Sequence, residues 1–256
     1  MKEKKKAFQS AFKTFNAVGY TGMVDMAMDD TIWEPLEQLR NDTNSLQVHP
    51  SSRILLMKPT DSLNKVDRAA KLARLHNAET TPDCRVVSIK NTSSISSLLG
   101  HTPQDYQWPC TPLATGRSKW QSTALEKNTN RSLRPRIEHL ELASARDAAR
   151  LGRLGITASI QPVHSDPAIL RARPRLIGHD RCKRAFAYRE FVDAVAGATH
   201  GSAYSSFSDR WTGSLQAGLK ADFVVCDVEL RPDSIVKEVV RETWYEGKRV
   251  YQDQAA

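Results

Sequence analysis

The chain of 256 residues lacks any apolar run near the ~20 residues that a membrane-spanning helix requires, so no membrane partner is expected. Its basic start, MKEKKKAFQSAF, has neither an apolar central region nor a small-residue cleavage site, which argues against a secretory signal. The four cysteines are widely spaced, and the lack of a CxxC pair argues against a zinc ribbon or a dense disulfide framework. These absences together indicate a cytoplasmic protein.

Aromatic residues are also scarce, at 7% of the chain, whereas the net charge is +8. Such a positive charge raises the question of nucleic-acid binding. The basic residues cluster at positions 2–6 and 171–184, and no aromatic side chains interleave with them to form a stacking surface. A solvated basic face is therefore favoured, and nucleic acid is not an expected partner.

The first ninety residues alternate between strand-like and helix-like segments. Apolar residues at helical spacing predict helices at 5–18, 31–40 and 66–77, the second capped by Thr31. Short apolar runs predict strands at 20–29, 53–58 and 84–90. This alternation favours a parallel α/β architecture.

Between residues 91 and 133 the pattern fails, because this segment is rich in Ser, Thr, Pro and Asn and has no sustained period. Order returns with RIEHLEL, a predicted strand that ends on His139. Ser144 and Gly155 then bound a predicted helix, with Asp147 three residues after the cap. The sequence ITASIQP predicts the next strand, and two helical pieces are expected around Gly197.

The C-terminal section predicts short strands at 222–228, 239–247 and 248–251, with a tight turn at EGK between the last two. Strands and helices are not expected to alternate in this section. An antiparallel unit of about 40 residues is too small to be stable unless it packs against something else.

Two stretches carry a resemblance to a known family. RIEHLELASARDAARLGRLGITASIQPVHSDP resembles the sixth-strand region of metal-dependent amidohydrolases, in amidohydrolase family 3 (YtcJ-like). GSLQAGLKADFVVCDVEL and VRETWYEGKRVY resemble the segment with which those enzymes return to a β-sandwich. The resemblance implies an incomplete TIM-like (β/α) barrel over residues 1–209, irregular at 91–133, and half of a β-sandwich over 210–256.

The same resemblance implies a hydrolase that cleaves amide-type C–N bonds in small molecules with a divalent metal, Zn being the expected ion. Such an ion lowers the pKa of bound water to roughly 7 and so supplies a nucleophile at neutral pH. His139 matches the metal-binding histidine of the sixth strand, and Lys90 matches a strand-end lysine. His164, on the loop after the next strand, matches a substrate-side position, whereas Glu138 is expected to be structural.

Other metal ligands of the family have no counterpart in this sequence, which contains no His-x-His and no fifth-strand histidine motif. The chain therefore resembles a truncated, internally deleted amidohydrolase. The alternative to catalysis is an inactive remnant or an interaction protein, because one or two ligands cannot hold a catalytic metal tightly. An incomplete barrel would expose strand edges, which leaves homo-oligomerisation open.

Overall fold

The computed structural model describes residues 1–25, 28–43, 46, 63–87, 109–110, 125–126, 130–138, 140, 143–161, 171, 174–175, 178–182, 196–227 and 239–254. The chain is an α/β protein that folds as two compact units. The first unit comprises Met1–Met57, Leu63–Val87 and Thr199–Ala256, and the second comprises Lys58–Ser62 and Ser88–Ala198. No helix within the described ranges is long and apolar enough to cross a membrane.

Three helices open the first unit: α1 (Lys2–Ala17), α2 (Asp30–Thr43) and α3 (Leu63–Leu75). The helices predicted at 5–18 and 66–77 are confirmed. Helix α1 buries Phe12 on its inner face, and the chain leaves the helix through Gly19 at a positive φ of 84°. Glycine adopts this left-handed conformation at no steric cost.

Helix α2 begins at Asp30, so the prediction that Thr31 caps it is wrong. Thr31 lies within the first turn, where its hydroxyl donates a hydrogen bond to Asp29 Oδ1 at 2.8 Å. Pro35 lies inside this helix and has no N–H to donate to the carbonyl of Thr31 four residues earlier. Lys4 Nζ of α1 donates to that carbonyl at 2.6 Å instead.

The strand predicted at 20–29 is wrong, since its described residues form only a single bridge position at Gly22. This segment serves as the connection between α1 and α2. Residues 84–87 of the next predicted strand are also not in a sheet. The rest of that strand and the strand predicted at 53–58 lie outside the described residues.

The C-terminal strands form an antiparallel sheet in the order β4 (Phe223–Asp227), β5 (Val239–Tyr245) and β6 (Lys248–Gln252), as predicted. The predicted tight turn is confirmed at Glu246 and Gly247, which both have positive φ angles of 48° and 75°. Two consecutive positive φ angles are typical of the hairpin turn that matches strand twist.

This sheet is stabilised by packing against α1, which supplies the apolar partner that an isolated three-stranded sheet needs. Thr243 of β5 is fully buried, and its Oγ1 donates a hydrogen bond to the carbonyl of Asn16 at 2.6 Å. A contact between residues 227 positions apart therefore joins the two ends of the chain.

The second unit contains a parallel sheet of three two-residue strands in the order β1 (Pro109–Cys110), β2 (Arg136–Ile137) and β3 (Thr157–Ala158). Helix α4 (Ala145–Leu154) connects β2 to β3. The helix has the predicted boundaries: Ser144 Oγ accepts a hydrogen bond from the Asp147 N–H at 3.1 Å, and Gly155 follows with a φ of 68°.

The predicted strands around β2 and β3 are therefore confirmed in shorter form, whereas β1 falls inside the segment for which no element was predicted. Further along, the structure describes α5 (His179–Cys182), a π-helical turn (Gly197–Gly201) and α6 (Ser202–Ser205). Residues 196–205 are helical, as expected for the piece that follows Gly197, whereas residues 183–195, most of the piece expected before it, lie outside the described residues.

Candidate functional site

An active site is expected at the carboxyl ends of β2 and β3, because active sites of parallel α/β folds lie at this edge of the sheet. Strand β2 ends at Ile137 and is followed by Glu138. Strand β3 pairs with it in parallel register and is followed by Ser159. Both strands therefore present polar residues at the same edge.

The two faces of β2 differ sharply. Ile137 is completely buried against α4, in an apolar cluster that includes Leu140, Leu151 and Ile156. Arg136 and Glu138 flank Ile137, so the alternation of a strand directs them away from this cluster. The face opposite the helix is thus polar although it is equally shielded from water.

Arg136 and Glu138 form a buried ion pair on that face. Arg136 Nε lies 2.7 Å from Glu138 Oε1, and the side chain of Glu138 is fully buried. Arg136 Nη2 also donates a hydrogen bond to Ser159 Oγ at 3.1 Å, which links the end of β2 to β3. The N–H of Arg136 Nε is not aligned for a hydrogen bond to the carboxylate, so the attraction is mainly ionic.

A carboxylate with this degree of burial is stable in charged form only beside a matching charge. Arg136 supplies that charge, so the pair holds the carboxyl edge together and does not offer a free acid or base. This agrees with the structural role expected for Glu138. The structure adds the partner, which sequence reasoning had not identified.

The predicted site residues His139, Lys90 and His164 lie outside the described residues. The structure therefore neither brings these three side chains together nor separates them. Within the ranges that are described, no group of three or more His, Cys, Asp or Glu residues could hold a metal ion. Glu138, the buried carboxylate nearest to His139 in the chain, is matched to an arginine, so the described residues by themselves do not fit a metal.

A second arrangement, in the first unit, resembles a catalytic triad. His76 Nε2 lies 3.1 Å from Glu37 Oε1, and its Nδ1 lies 3.4 Å from Thr81 Oγ1. The hydroxyl of Thr81 is buried and donates its proton to the carbonyl of Cys84 at 2.7 Å. A buried hydroxyl that already donates its proton to a backbone carbonyl cannot act as a nucleophile. The arrangement of Glu37, His76 and Thr81 is therefore structural.

The buried Arg85 of the first unit is likewise a structural residue that the sequence did not single out. Its Nη2 donates a hydrogen bond to the carbonyl of Ser206 at 2.9 Å, and its guanidinium lies 4.8 Å from the ring centroid of Trp211. Burial lowers the pKa of Arg85 to about 10, so it still carries its charge at neutral pH. Arg85 thus anchors the segment after α6 to the residues that follow α3.

Comparison with known proteins gives one family match, which covers residues 171–251 and is described as the amidohydrolase family. No curated protein matches the chain. Solved structures match over most of its length. An uncharacterized metal-dependent hydrolase from Pyrococcus furiosus has a TM-score of 0.63 and 16% identity, with 85% of this chain and 58% of that chain covered.

Two further structures have similar scores. A triazine hydrolase variant has a TM-score of 0.56 and 15% identity, with 97% of this chain and 71% of that chain covered. An adenosine deaminase from Xanthomonas campestris with bound Zn has a TM-score of 0.57 and 12% identity, with 98% and 72% covered. At these identities the likeness extends to the fold alone. Residues 171–251 are therefore similar to the amidohydrolase family, and the chain shares its α/β fold with the solved structures named above.

Proposed function

We propose that this amidohydrolase-like protein hydrolyses amide-type C–N bonds in small molecules with the help of a divalent metal. The observation that carries the proposal is the family match over residues 171–251. The fold likeness to a metal-dependent hydrolase and to a zinc-containing deaminase supports the metal. Because the chain spans 58% of the length of the first of these structures, the reaction of a whole amidohydrolase is a proposal for this chain.

His139 is the metal ligand that we propose first, with Lys90 as a second ligand and His164 as a substrate contact. The support for His139 is its position in the sequence, two residues after Ile137, the last residue of β2. Folds built from parallel strands place their sites at the carboxyl ends of those strands. Zinc is the proposed ion, since histidine nitrogen is one of its preferred ligands.

The same proposal describes residues 1–209 as an incomplete (β/α) barrel and residues 210–256 as half of a β-sandwich. The unit formed by β2, α4 and β3 supports the first part, because two parallel strands joined by a helix are the repeating element of such a barrel. The antiparallel sheet of β4, β5 and β6 supports the second part. A cytoplasmic location is part of the proposal and is supported by the wide spacing of the four cysteines, which differs from the dense pattern of disulfide-rich secreted domains.

Zinc retention tests the proposal directly. The purified protein is loaded with zinc and dialysed extensively, beside His139→Ala and the matched control His179→Ala, which alters an exposed histidine of α5 in the same unit. We expect about one zinc ion per chain in the wild type and the control, as for a single protein site, and none in His139→Ala. Equal zinc content in all three proteins contradicts the assignment of His139.

A result without retained zinc in any of the three proteins would contradict catalysis by a metal and favour the inactive remnant. A positive result is followed by hydrolysis assays on small amides and carbamates. Activity that is lost in His139→Ala and retained in the control variant His179→Ala would establish the reaction class.

A further inference from the structure

A cleft in the first unit is formed by α1, α2 and the β5–β6 hairpin; we call it the hairpin cleft. It encloses about 790 Å³, which lies within the roughly 300–1,000 Å³ of small-molecule sites. Part of its lining is apolar, since the buried side chains of Phe12, Leu39 and Tyr245 contribute to it. The apolar part of a ligand in this cleft would therefore contact these side chains.

The walls of the hairpin cleft are rich in positive charge. Among the described residues, two carboxylates line it, those of Asp83 and Glu246, and five cationic side chains do so: Lys13, Arg40, Lys220, Lys248 and Arg249. The difference, five minus two, is an excess of three positive charges among the lining residues. The cations come from both helices and from the sheet, so they converge on the cleft from different sides.

Most of these charges are already matched. Arg40 Nε and Nη2 donate to the two oxygens of Asp83 at 2.7 and 2.8 Å, and Lys220 pairs with Glu246. Arg249 Nη1 lies 2.9 Å from Glu242 Oε1, outside the cleft lining. These pairs fix the walls and leave little net charge of their own.

Lys13 of α1 and Lys248 of β6 are different, because neither has an ion-pair partner among the residues that the structure describes. Both are solvent-exposed, so their ammonium groups can turn toward a ligand at the mouth of the cleft. A lining that combines apolar side chains with two cations that have no described ion-pair partner is complementary to a molecule with an apolar body and an anionic head.

We propose that the hairpin cleft binds an amphipathic organic anion, with its apolar part against Phe12 and Leu39 and its acidic group between Lys13 and Lys248. This site is independent of the proposed hydrolase reaction. The ligand class is a carboxylate or sulfonate on a body of modest size, since a longer chain would not fit the cleft volume.

The test uses the dye 1-anilinonaphthalene-8-sulfonate, which has an aromatic body and a sulfonate head, on the full chain. Its affinity is measured by fluorescence for the wild type and for Lys13→Gln/Lys248→Gln. The matched control is Lys2→Gln/Lys6→Gln, which removes two charges from exposed lysines of α1 that do not line the cleft. Far-UV circular dichroism verifies that all three proteins are folded.

We expect the cleft variant to bind the dye about five- to tenfold more weakly, from two partly exposed ion pairs, and the control within about twofold of the wild type. Equal weakening in the two variants would overturn the proposal, since it would indicate a response to net charge alone. Unchanged binding in the cleft variant would overturn it as well.

A second measurement needs no variant. Decanoate and decyltrimethylammonium have tails of the same length but opposite head charges, and both are used below their micellar concentrations. The proposal predicts that decanoate displaces the dye from the wild type and decyltrimethylammonium does not. Equal displacement by both compounds would indicate a general apolar surface and overturn the proposal.

Discussion

Arg136 Nε of β2 lies 2.7 Å from Oε1 of Glu138, the residue that follows the strand, and both side chains are shielded from solvent. An ion pair in such a position has a high desolvation cost, which the mutual attraction offsets only while both partners are present. The pair is therefore expected to behave as a unit, in which the loss of one member is worse than the loss of both.

Removal of one partner should accordingly destabilise the second unit. We expect Arg136→Met to lower the free energy of unfolding by about 3–5 kcal/mol, because it leaves the Glu138 carboxylate buried without its countercharge. The double variant Arg136→Met/Glu138→Leu should recover most of that loss. Urea unfolding of the wild type, both single variants and the double variant gives the coupling energy.

The control for this cycle is Arg150→Met, which breaks an ion pair with Glu126 on the surface of the same unit. A surface pair contributes at most about 1 kcal/mol, so this variant should unfold close to the wild type. A double variant that is no more stable than Arg136→Met would contradict the idea that the buried charge is the source of the loss.

The contrast between α4 and β1 explains which elements the sequence could predict. The signals of α4 are local: Ser144, Asp147 and Gly155 act within one turn of the helix ends, so a short window of sequence contains them. Strand β1 consists of Pro109 and Cys110, and its pairing with β2 is the only reason it is a strand. No local pattern can encode a partner that lies 27 positions further along the chain.

The candidate site shows the same limit. The alternation of charge in Arg136 and Glu138 is visible in the sequence, and the structural role of Glu138 was expected. That both side chains are buried depends on what packs over them, which a strand pattern does not determine. The ligand assignments for His139 and Lys90 came from family resemblance, and they stay predictions because both residues lie outside the described part of the chain.

The hydrogen bond from Thr243 Oγ1 to the Asn16 carbonyl provides a test of how α1 holds the C-terminal sheet. We expect Thr243→Val to lower the free energy of unfolding by about 1–3 kcal/mol, since a valine of similar shape removes the donor from a fully buried contact. Thr14→Val is the control, because Thr14 is exposed and its hydroxyl donates a hydrogen bond to the Ser10 carbonyl of its own helix. A loss as large in Thr14→Val would argue against a specific role for the buried bond.

Gly213 tests a close approach of two backbone segments. Its φ is +95°, and an added Cβ would overlap the side chain of Ala203. We expect Gly213→Ala to destabilise the first unit by more than about 3 kcal/mol, from the overlap and the strained φ together. Gly218 has a similar φ of +93°, but an added Cβ there would meet open space. Gly218→Ala should therefore lower the free energy of unfolding by about 1–2 kcal/mol, from backbone strain alone. Equal losses in thermal unfolding would show that the contact with Ala203 is unimportant.

His76 predicts a pH dependence of stability. Burial lowers the pKa of His76, and Arg40 acts in the same direction, whereas Glu37 opposes it. The folded protein therefore binds fewer protons at this site than the unfolded chain, in which the pKa is about 6.5. The free energy of unfolding should consequently fall as the pH drops below this value, and this site should contribute no slope at alkaline pH.

Urea unfolding between pH 8 and pH 5.5 measures this slope, a range chosen to stay above the main carboxylate titrations at about pH 4. His76→Gln should flatten the dependence, because glutamine does not titrate. His200→Gln serves as the control, since His200 is exposed and should leave the slope as in the wild type. A slope unchanged in His76→Gln would assign the pH dependence to other groups, whereas a slope of opposite sign in the wild type would mean that the attraction to Glu37 outweighs burial.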